Sequence, residues 1–398
     1  MKYYPLTTNT LSDIDKQNAI KVIKSGNITR GIYNLKVENF FSKKFNRYAL
    51  LVNSGSSANL LALSLVVNKL GKYKFSNNDE VIIPTLCWST SLYPILQMNL
   101  KPVFVDINLE NLNIDIEKLK KKITSKTRAI MLVHALGNCT SMNEIKELCF
   151  NKKITLIEDC CEALGSKYNN KYLGTFGNIS TFSFYFSHHI TSGEGGLVLC
   201  KNKEDFKILL SLRAHGWSRE VDQLNGNKNN KFDKLFNFVN LGFNLRLTDI
   251  QAALLSDQSK KIDQFRENRI FNYELIRKFF KNSKILSENL ILIKKQDNSQ
   301  ISWFNFPIIL KNFNKVKRDN LCLKLNKLGI ETRPIISGNF TQQKVIKNLM
   351  KNISHKEFPK VDIVTNSGFM IGISSIKTNK KIIERLCKDL EKTIIKFI

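Results

Sequence analysis

The sequence predicts an α/β protein: a large, mostly parallel sheet in the first half and a smaller α+β unit after it. Three observations point there. Short β-branched or aromatic runs alternate with helical patterns between residues 48 and 213, the layout of a sheet covered by helices on both faces. One long amphipathic pattern then runs from Thr248 to about Phe280. Beyond it the chain reads strand, helix and a basic terminal helix. With 398 residues, 42% hydrophobic and 24% charged, it is long enough to bury a large core.

The expected strands are 48–53, 80–84, 102–106, 129–133, 155–158, 180–184 and 196–200, each a short apolar run bounded by turn residues. Helices are expected at 57–69, 143–150 and 203–213, where apolar residues recur at helical spacing. Thr248 and Asp249 offer capping chemistry at the start of the long helical pattern. A strand over 301–310 and a helix over 315–328 follow. The organisation expected is an N-terminal segment with the large α/β domain over 1–247, a connecting helix over 248–281 and a small α+β domain over 282–398.

Composition narrows the function classes. The N-terminus turns polar too soon for a signal peptide, and no run reaches the roughly 18 apolar residues of a membrane span. The expectation is a cytoplasmic protein with no membrane partner. Sixty-two Lys and Arg against 34 Asp and Glu leave a net charge of +28. The lysines are spread along the chain beside Asn and Ile, without a basic stripe interleaved with aromatics, so no nucleic-acid partner is expected. The eight cysteines include no CxxC and no Cys/His pairing at zinc spacing. Reduced thiols and no metal are expected.

Several segments carry possible chemistry. Residues 53–59, NSGSSAN, follow a strand and open a helix. Ser56 and Ser57 there read either as part of a phosphate cradle at the positive helix end or as an ordinary capped turn. Asp159 and Glu162, in IEDCCE, stand at a strand's C-terminal end, where α/β sheets bind ligands; a helix cap is the other reading. Ser183 precedes His188 and His189, two of only five histidines, and a GEGG turn that leaves them on a loop. His215 and Arg246 are either solvated or halves of a pocket for carboxylates and phosphates. Trp88 is either core or a plate for a planar ligand.

In this order along the chain, the SGSSAN turn, EDCCEALG, the TFSF…GEGG block, GFNLRLTDIQAALL, SWFNFPI and GIETRPI resemble the DegT-type sugar aminotransferases. The resemblance runs from about Gly26 to the C-terminal helix. It implies the aspartate aminotransferase-like, type I pyridoxal-phosphate fold, with a cofactor-binding large domain. In that family a lysine stands five residues after the phosphate-binding serine and holds the cofactor as a Schiff base. Here that place is His188. Imidazole forms no Schiff base, so the cofactor is expected to be held non-covalently, while imidazole moves protons near neutral pH.

With the HH pair, RAHGWSR and RPIISGNF, the histidine makes the chain similar to a narrower group, the GDP-4-keto-6-deoxymannose 3-dehydratases. A related CDP-sugar dehydrase carries iron–sulfur cysteines in the loop after the position of Arg213. Residues 213–244 contain no cysteine, so no cluster is expected.

The resemblance implies that Ser56, Ser57 and Ser183 hold the cofactor phosphate and that Asp159 pairs with the pyridine nitrogen. Glu162 would lie near the ring hydroxyl and Trp88 would stack on the ring. Asn244 would reach the phosphate from the neighbouring subunit of a homodimer. His215 and Arg246 would take the carboxylates of L-glutamate, the amino donor. Gly26, Asn27, Ile28, Thr29, Arg219, Glu331 and Arg333 would take the GDP-4-keto-6-deoxy sugar, a hexose or a heptose. His188 would move protons while pyridoxal phosphate and pyridoxamine phosphate interconvert. The C3 hydroxyl would leave and ammonia would follow, giving a 4-keto-3,6-dideoxy sugar for surface polysaccharide. The alternative is an aminotransferase-like protein that is slow or inactive without its lysine.

Overall fold

A computed structural model describes residues 3–219, 221, 236–351 and 353–398. Seven strands form the large sheet: β1 (Tyr48–Val52), β2 (Glu80–Pro84), β3 (Lys101–Val105), β4 (Thr127–Val133), β5 (Thr155–Asp159), β6 (Ile179–Ser183) and β7 (Gly196–Cys200). Their order is β1-β7-β6-β5-β4-β2-β3. Only β7 runs against its neighbours; the pairs β6–β5, β5–β4, β4–β2 and β2–β3 are parallel. Strands β2, β6 and β7 are buried along their whole length, which explains their unbroken apolar runs. The parallel strands end on one edge of the sheet, and that edge carries the candidate site.

A smaller antiparallel sheet takes Leu290–Ile291, Asn305–Leu310, Gly368–Gly372 and Thr332–Arg333 in that order. It shares one hydrophobic core with the large sheet. No described helix is long and apolar enough to cross a membrane.

Three expectations change. The helical pattern from Thr248 is two helices, Asp249–Gln258 and Ile262–Asn282, joined by a 3-10 turn over Ser259–Lys261. Thr248 does cap the first, in a capping box with Gln251. The break follows from what its last residues do. Gln258 turns inward to bond both main-chain groups of Thr191, and the Ser259 hydroxyl bonds back to the Leu255 carbonyl at 2.7 Å, a contact that bends helices.

The strand expected over 301–310 begins only at Asn305. Residues 302–304 spend their main-chain groups elsewhere: the amides of Ser302 and Phe304 donate to the Ser166 hydroxyl and the Leu136 carbonyl. Finally, two helices precede β1, Asp13–Ser25 and Ile32–Phe45, where the sequence reading placed none. The second starts at Gly31 without a side-chain cap of its own. Asp249 caps it from a distance, its Oδ1 accepting from the amides of Gly31 and Asn34 at 3.1 and 2.8 Å. A Cβ at Gly31 would sit 2.6 Å from that carboxylate.

Glu158 anchors the sheet beneath the site. It is fully buried and accepts from the amides of Gly174, Phe176 and Gly177 at 2.9, 2.8 and 2.6 Å. His134 Nε2, 3.0 Å away, is the fourth donor. Cys160 lies close enough to make a triad with ligand atoms within 4.8 Å of one another, yet the carboxylate oxygens are already filled by donors. Glu158→Ala strands three amides at about 1–3 kcal/mol each, so urea unfolding is expected to show at least about 3 kcal/mol of lost stability. A loss under about 1 kcal/mol would mean those amides find other partners.

Candidate active site

The end of β1 turns into the helix Gly55–Val67, capped by the Ser54 hydroxyl, which accepts from the Ser57 amide at 3.0 Å. Ser56 is exposed and Ser57 half-buried at this helix N-terminus. Ser183, the last residue of β6, packs directly on it: a Cβ at Gly55 would lie 2.6 Å from the Ser183 Cβ and 3.0 Å from its hydroxyl. Only glycine lets the turn close on that serine. Three hydroxyls and a helix N-terminus thus make one cradle suited to a phosphate. Gly55→Val is expected to close it and abolish cofactor loading. Absorbance of the loaded protein after dialysis checks this; undiminished loading would move the phosphate elsewhere.

Asp159 ends β5 and is buried. Its Oδ2 accepts from Asn59 Nδ2 at 2.9 Å and from the Ser91 hydroxyl at 2.7 Å, and its Oδ1 from the Cys161 amide at 3.0 Å. Asn59 is fixed in turn by the Thr181 hydroxyl at 2.6 Å. These donors fix the orientation of the carboxylate. Ser91 also bonds the main chain of Trp88, whose side chain is 57% exposed. A large aromatic left that open beside a buried carboxylate suits a planar, basic ring. Glu162 faces the same space, accepting from the Leu136 amide at 2.7 Å. Burial pushes its carboxyl up to about 7.

His188 lies on the loop after β6, half-buried. Its Nδ1 is 2.7 Å from the Cys161 carbonyl oxygen, which can only accept. Nδ1 therefore carries the hydrogen and Nε2 the lone pair. Its ring packs on Phe304 with centroids 5.0 Å apart. Burial pulls its pKa down to about 4, so at neutral pH it is an uncharged base with a fixed tautomer. Because the folded value lies below the ordinary 6.5, this group's stabilising contribution is full above pH 6.5 and is lost as pH falls through about 4. An NMR titration of the cofactor-free protein is expected to show the imidazole neutral through pH 6.5; a midpoint at 6.5 would contradict the burial. His189 points the other way, fully inside, with Nε2 on the Ser302 carbonyl at 2.7 Å. It supports the loop and does not reach the pocket.

The remaining candidates fall into four places. His215, Asn244 and Arg246 are brought together: Arg246 donates to Asn244 Oδ1 at 3.2 Å and lies 3.3 Å from His215 Nε2. The Leu245 carbonyl accepts from the Asn53 amide at 2.9 Å, which ties this segment to the phosphate turn. Arg219 is exposed, its guanidinium 6.0 Å from the Trp217 ring. Gly26, Asn27, Ile28 and Thr29 form an exposed loop whose carbonyls at Ile28 and Thr29 accept from the Asp249 amide. Glu331 and Arg333 lie at the edge strand of the small antiparallel sheet. Glu331 accepts from the Leu6 amide at 3.1 Å, and Arg333 is exposed at a cavity of about 280 Å³ with Arg318, Cys322 and Asn326.

The sequence reading missed Asn59, Ser91, Thr181 and Phe304. Two of these had a signal. Thr181 is two residues before Ser183, on the same strand face, and Asn59 is four after Gly55, on the same helix face.

A model of the DegT/DnrJ/EryC1/StrS aminotransferase family matches residues 9–390. The chain belongs to that family. Among its relatives, GDP-4-keto-6-deoxy-D-mannose 3-dehydratase of Escherichia coli O55:H7 is 36% identical over 380 residues, 94% of this chain and 96% of that one. The structure of an E. coli GDP-4-keto-6-deoxy-D-mannose-3-dehydratase with bound hydrated PLP is 35% identical with a TM-score of 0.91, covering 98% of this chain and 100% of that one. A second structure of GDP-4-keto-6-deoxymannose-3-dehydratase, with a trapped PLP-glutamate geminal diamine, is also 35% identical, with a TM-score of 0.90 and coverage of 97% and 100%. This DegT-family chain therefore has the pyridoxal-phosphate aminotransferase fold. The cradle at Gly55 and Ser183, the buried Asp159 carboxylate and the open Trp88 ring fit that cofactor's phosphate, ring nitrogen and ring face.

Proposed function

We propose that this DegT-family protein is a pyridoxal-phosphate- and L-glutamate-dependent 3-dehydratase of a GDP-linked 4-keto-6-deoxy sugar, releasing ammonia and a 4-keto-3,6-dideoxy sugar for surface polysaccharide. The observation that carries the reading is His188. A hydrogen-bonded imidazole with its Nε2 lone pair free stands where the family resemblance places an amine, and no lysine occurs between Lys171 and Lys201. When bound, the cofactor would accept glutamate's amino group and serve as the electron sink for breaking the sugar's C3–O bond.

The chain's own residues do the rest. Ser56, Ser57 and Ser183 hold the phosphate without a covalent tether. Asp159, its carboxylate fixed by three donors, faces the ring nitrogen. Glu162 lies near the ring hydroxyl and Trp88 covers the ring. His188 Nε2 takes the proton from the glutamate Cα and returns protons during the sugar half of the cycle, while the Cys161 carbonyl keeps its tautomer fixed. His215 and Arg246 orient glutamate. Gly26, Asn27, Ile28, Thr29, Arg219, Glu331 and Arg333 take the nucleotide sugar, a hexose or a heptose. A lysine in the same place would recapture the cofactor and favour transamination; a histidine offers proton transfer without that competing bond.

The large domain over 1–247, the connecting segment over 248–281 and the small domain over 282–398 go with this reading, as does a homodimer in which Asn244 reaches the partner's phosphate. Exposed Tyr185, Phe186, Phe236, Phe238 and Leu241 suit a buried face between copies. Light scattering is expected to give twice the chain mass, and a monomer at micromolar concentration would remove Asn244 from the site. Borohydride treatment of the loaded protein tests the cofactor's attachment. The expected mass is that of the bare chain, with 2-oxoglutarate formed when glutamate is added first. A cofactor-sized adduct on a lysine would overturn the reading.

A further inference from the structure

Arg269 lies in the middle of the helix Ile262–Asn282 and is buried. Its Nε donates to the Ser375 hydroxyl at 2.8 Å, and its Nη1 to the carbonyls of Trp303 and Phe304 at 2.8 and 2.9 Å. A buried guanidinium commonly faces a carboxylate. Here burial alone draws its pKa down to about 9, with no described carboxylate to hold it up.

Two of its three partners, Phe304 and Ser375, reach the catalytic loop. The Phe304 ring packs on both imidazoles, with centroids 5.0 Å from His188 and 5.8 Å from His189. Ser302, in the same clamped stretch, accepts from His189 Nε2 at 2.7 Å. Ser375, which precedes the C-terminal helix Lys380–Ile395, donates to the His189 carbonyl at 3.3 Å. One side chain thus holds the backbone of the plate behind His188 and the hydroxyl that holds the loop's backbone.

We propose that Arg269 is the positioning residue for the His188 base: it clamps Phe304 and Ser375 against the 188–189 loop and sets a cation behind the imidazole. The proposal rests on His188 acting as the base. Other groups facing that ring act in known directions. Asp159 raises its proton affinity, as does the hydrogen bond to the Cys161 carbonyl. Tyr185, its ring centroid 6.2 Å away, and His189 are the other titratable neighbours among the described residues. Arg269 opposes Asp159, and it lowers the proton affinity of His189 as well.

Two variants separate the clamp from the charge. Arg269→Lys keeps the cation and loses the forked geometry; Arg269→Gln loses the cation. The first readout needs no activity: NMR titration of the His188 imidazole in the cofactor-free full chain. Arg269→Gln is expected to raise its proton affinity about tenfold, one pH unit, while Arg269→Lys leaves it within a factor of about two. The second is the steady-state split. Arg269→Lys is expected to lower kcat about tenfold with the KM for glutamate unchanged, the mark of a misplaced base. Should Arg269→Gln fail to fold, Phe304→Leu replaces it, with the same expected loss in kcat and an unmoved titration. An unchanged His188 titration in Arg269→Gln, or wild-type kcat in both Arg269→Lys and Phe304→Leu, overturns the proposal. Failure of the dehydratase reading is distinguishable, since the wild-type protein would then form no deoxy sugar whatever the titration shows.

Discussion

His188→Asn is expected to lower turnover by about 10²–10⁴-fold, the usual contribution of a positioned general base. Asparagine keeps a polar side chain of similar reach and can still donate to the Cys161 carbonyl, which His188 Nδ1 meets at 2.7 Å, but its amide is not basic enough to take a proton. The loss should fall on kcat for the glutamate half as well as the sugar half, because one Nε2 serves both. Cofactor loading should survive, since the phosphate cradle and Asp159 are untouched. Pre-steady-state absorbance after mixing loaded variant with glutamate measures this. A variant that exchanges the amino group at the parent's rate would transfer the role of base to another group.

The second large effect is at Asp159. Asp159→Asn keeps shape but removes the charge facing the ring nitrogen, and its amide sets a donor against the three donors that now satisfy the carboxylate. A protonated ring accepts electrons; a neutral one does so poorly. The step that breaks the sugar's C3–O bond should slow by about 10²–10³-fold, the scale of losing one preorganised electrostatic contact. Cofactor affinity should fall with it, which separates this variant from His188→Asn. Single-turnover formation of the deoxy sugar at saturating cofactor is the measurement. An equal loss of cofactor binding with an unchanged single-turnover rate would restrict Asp159 to binding.

Much of the large sheet was legible because its strands are buried on both faces, so short apolar runs between turn residues mark them without ambiguity. The candidate site was legible where polar residues sit at strand ends, as Asp159 and Ser183 do. What escaped the sequence depends on contacts between distant segments. The bend at Ser259 follows from Gln258 turning to Thr191, 67 residues away. Residues 302–304 are apolar enough for a strand, yet Ser166, Leu136 and Arg269 draw them out of the sheet. Asp249 reads as a cap for its own helix and instead caps one 218 residues earlier, through Gly31. Arg269 had no local mark at all, because a basic residue at helical spacing ordinarily faces water.

The most direct test of the central claim is mass spectrometry of the sugar nucleotide, with a parallel ammonia assay, after incubation with pyridoxal phosphate, L-glutamate and GDP-4-keto-6-deoxymannose. The expected result is loss of the C3 oxygen from the sugar with one ammonia released per sugar consumed. A stable amino sugar formed without ammonia would contradict it and make the protein an aminotransferase that works without the lysine.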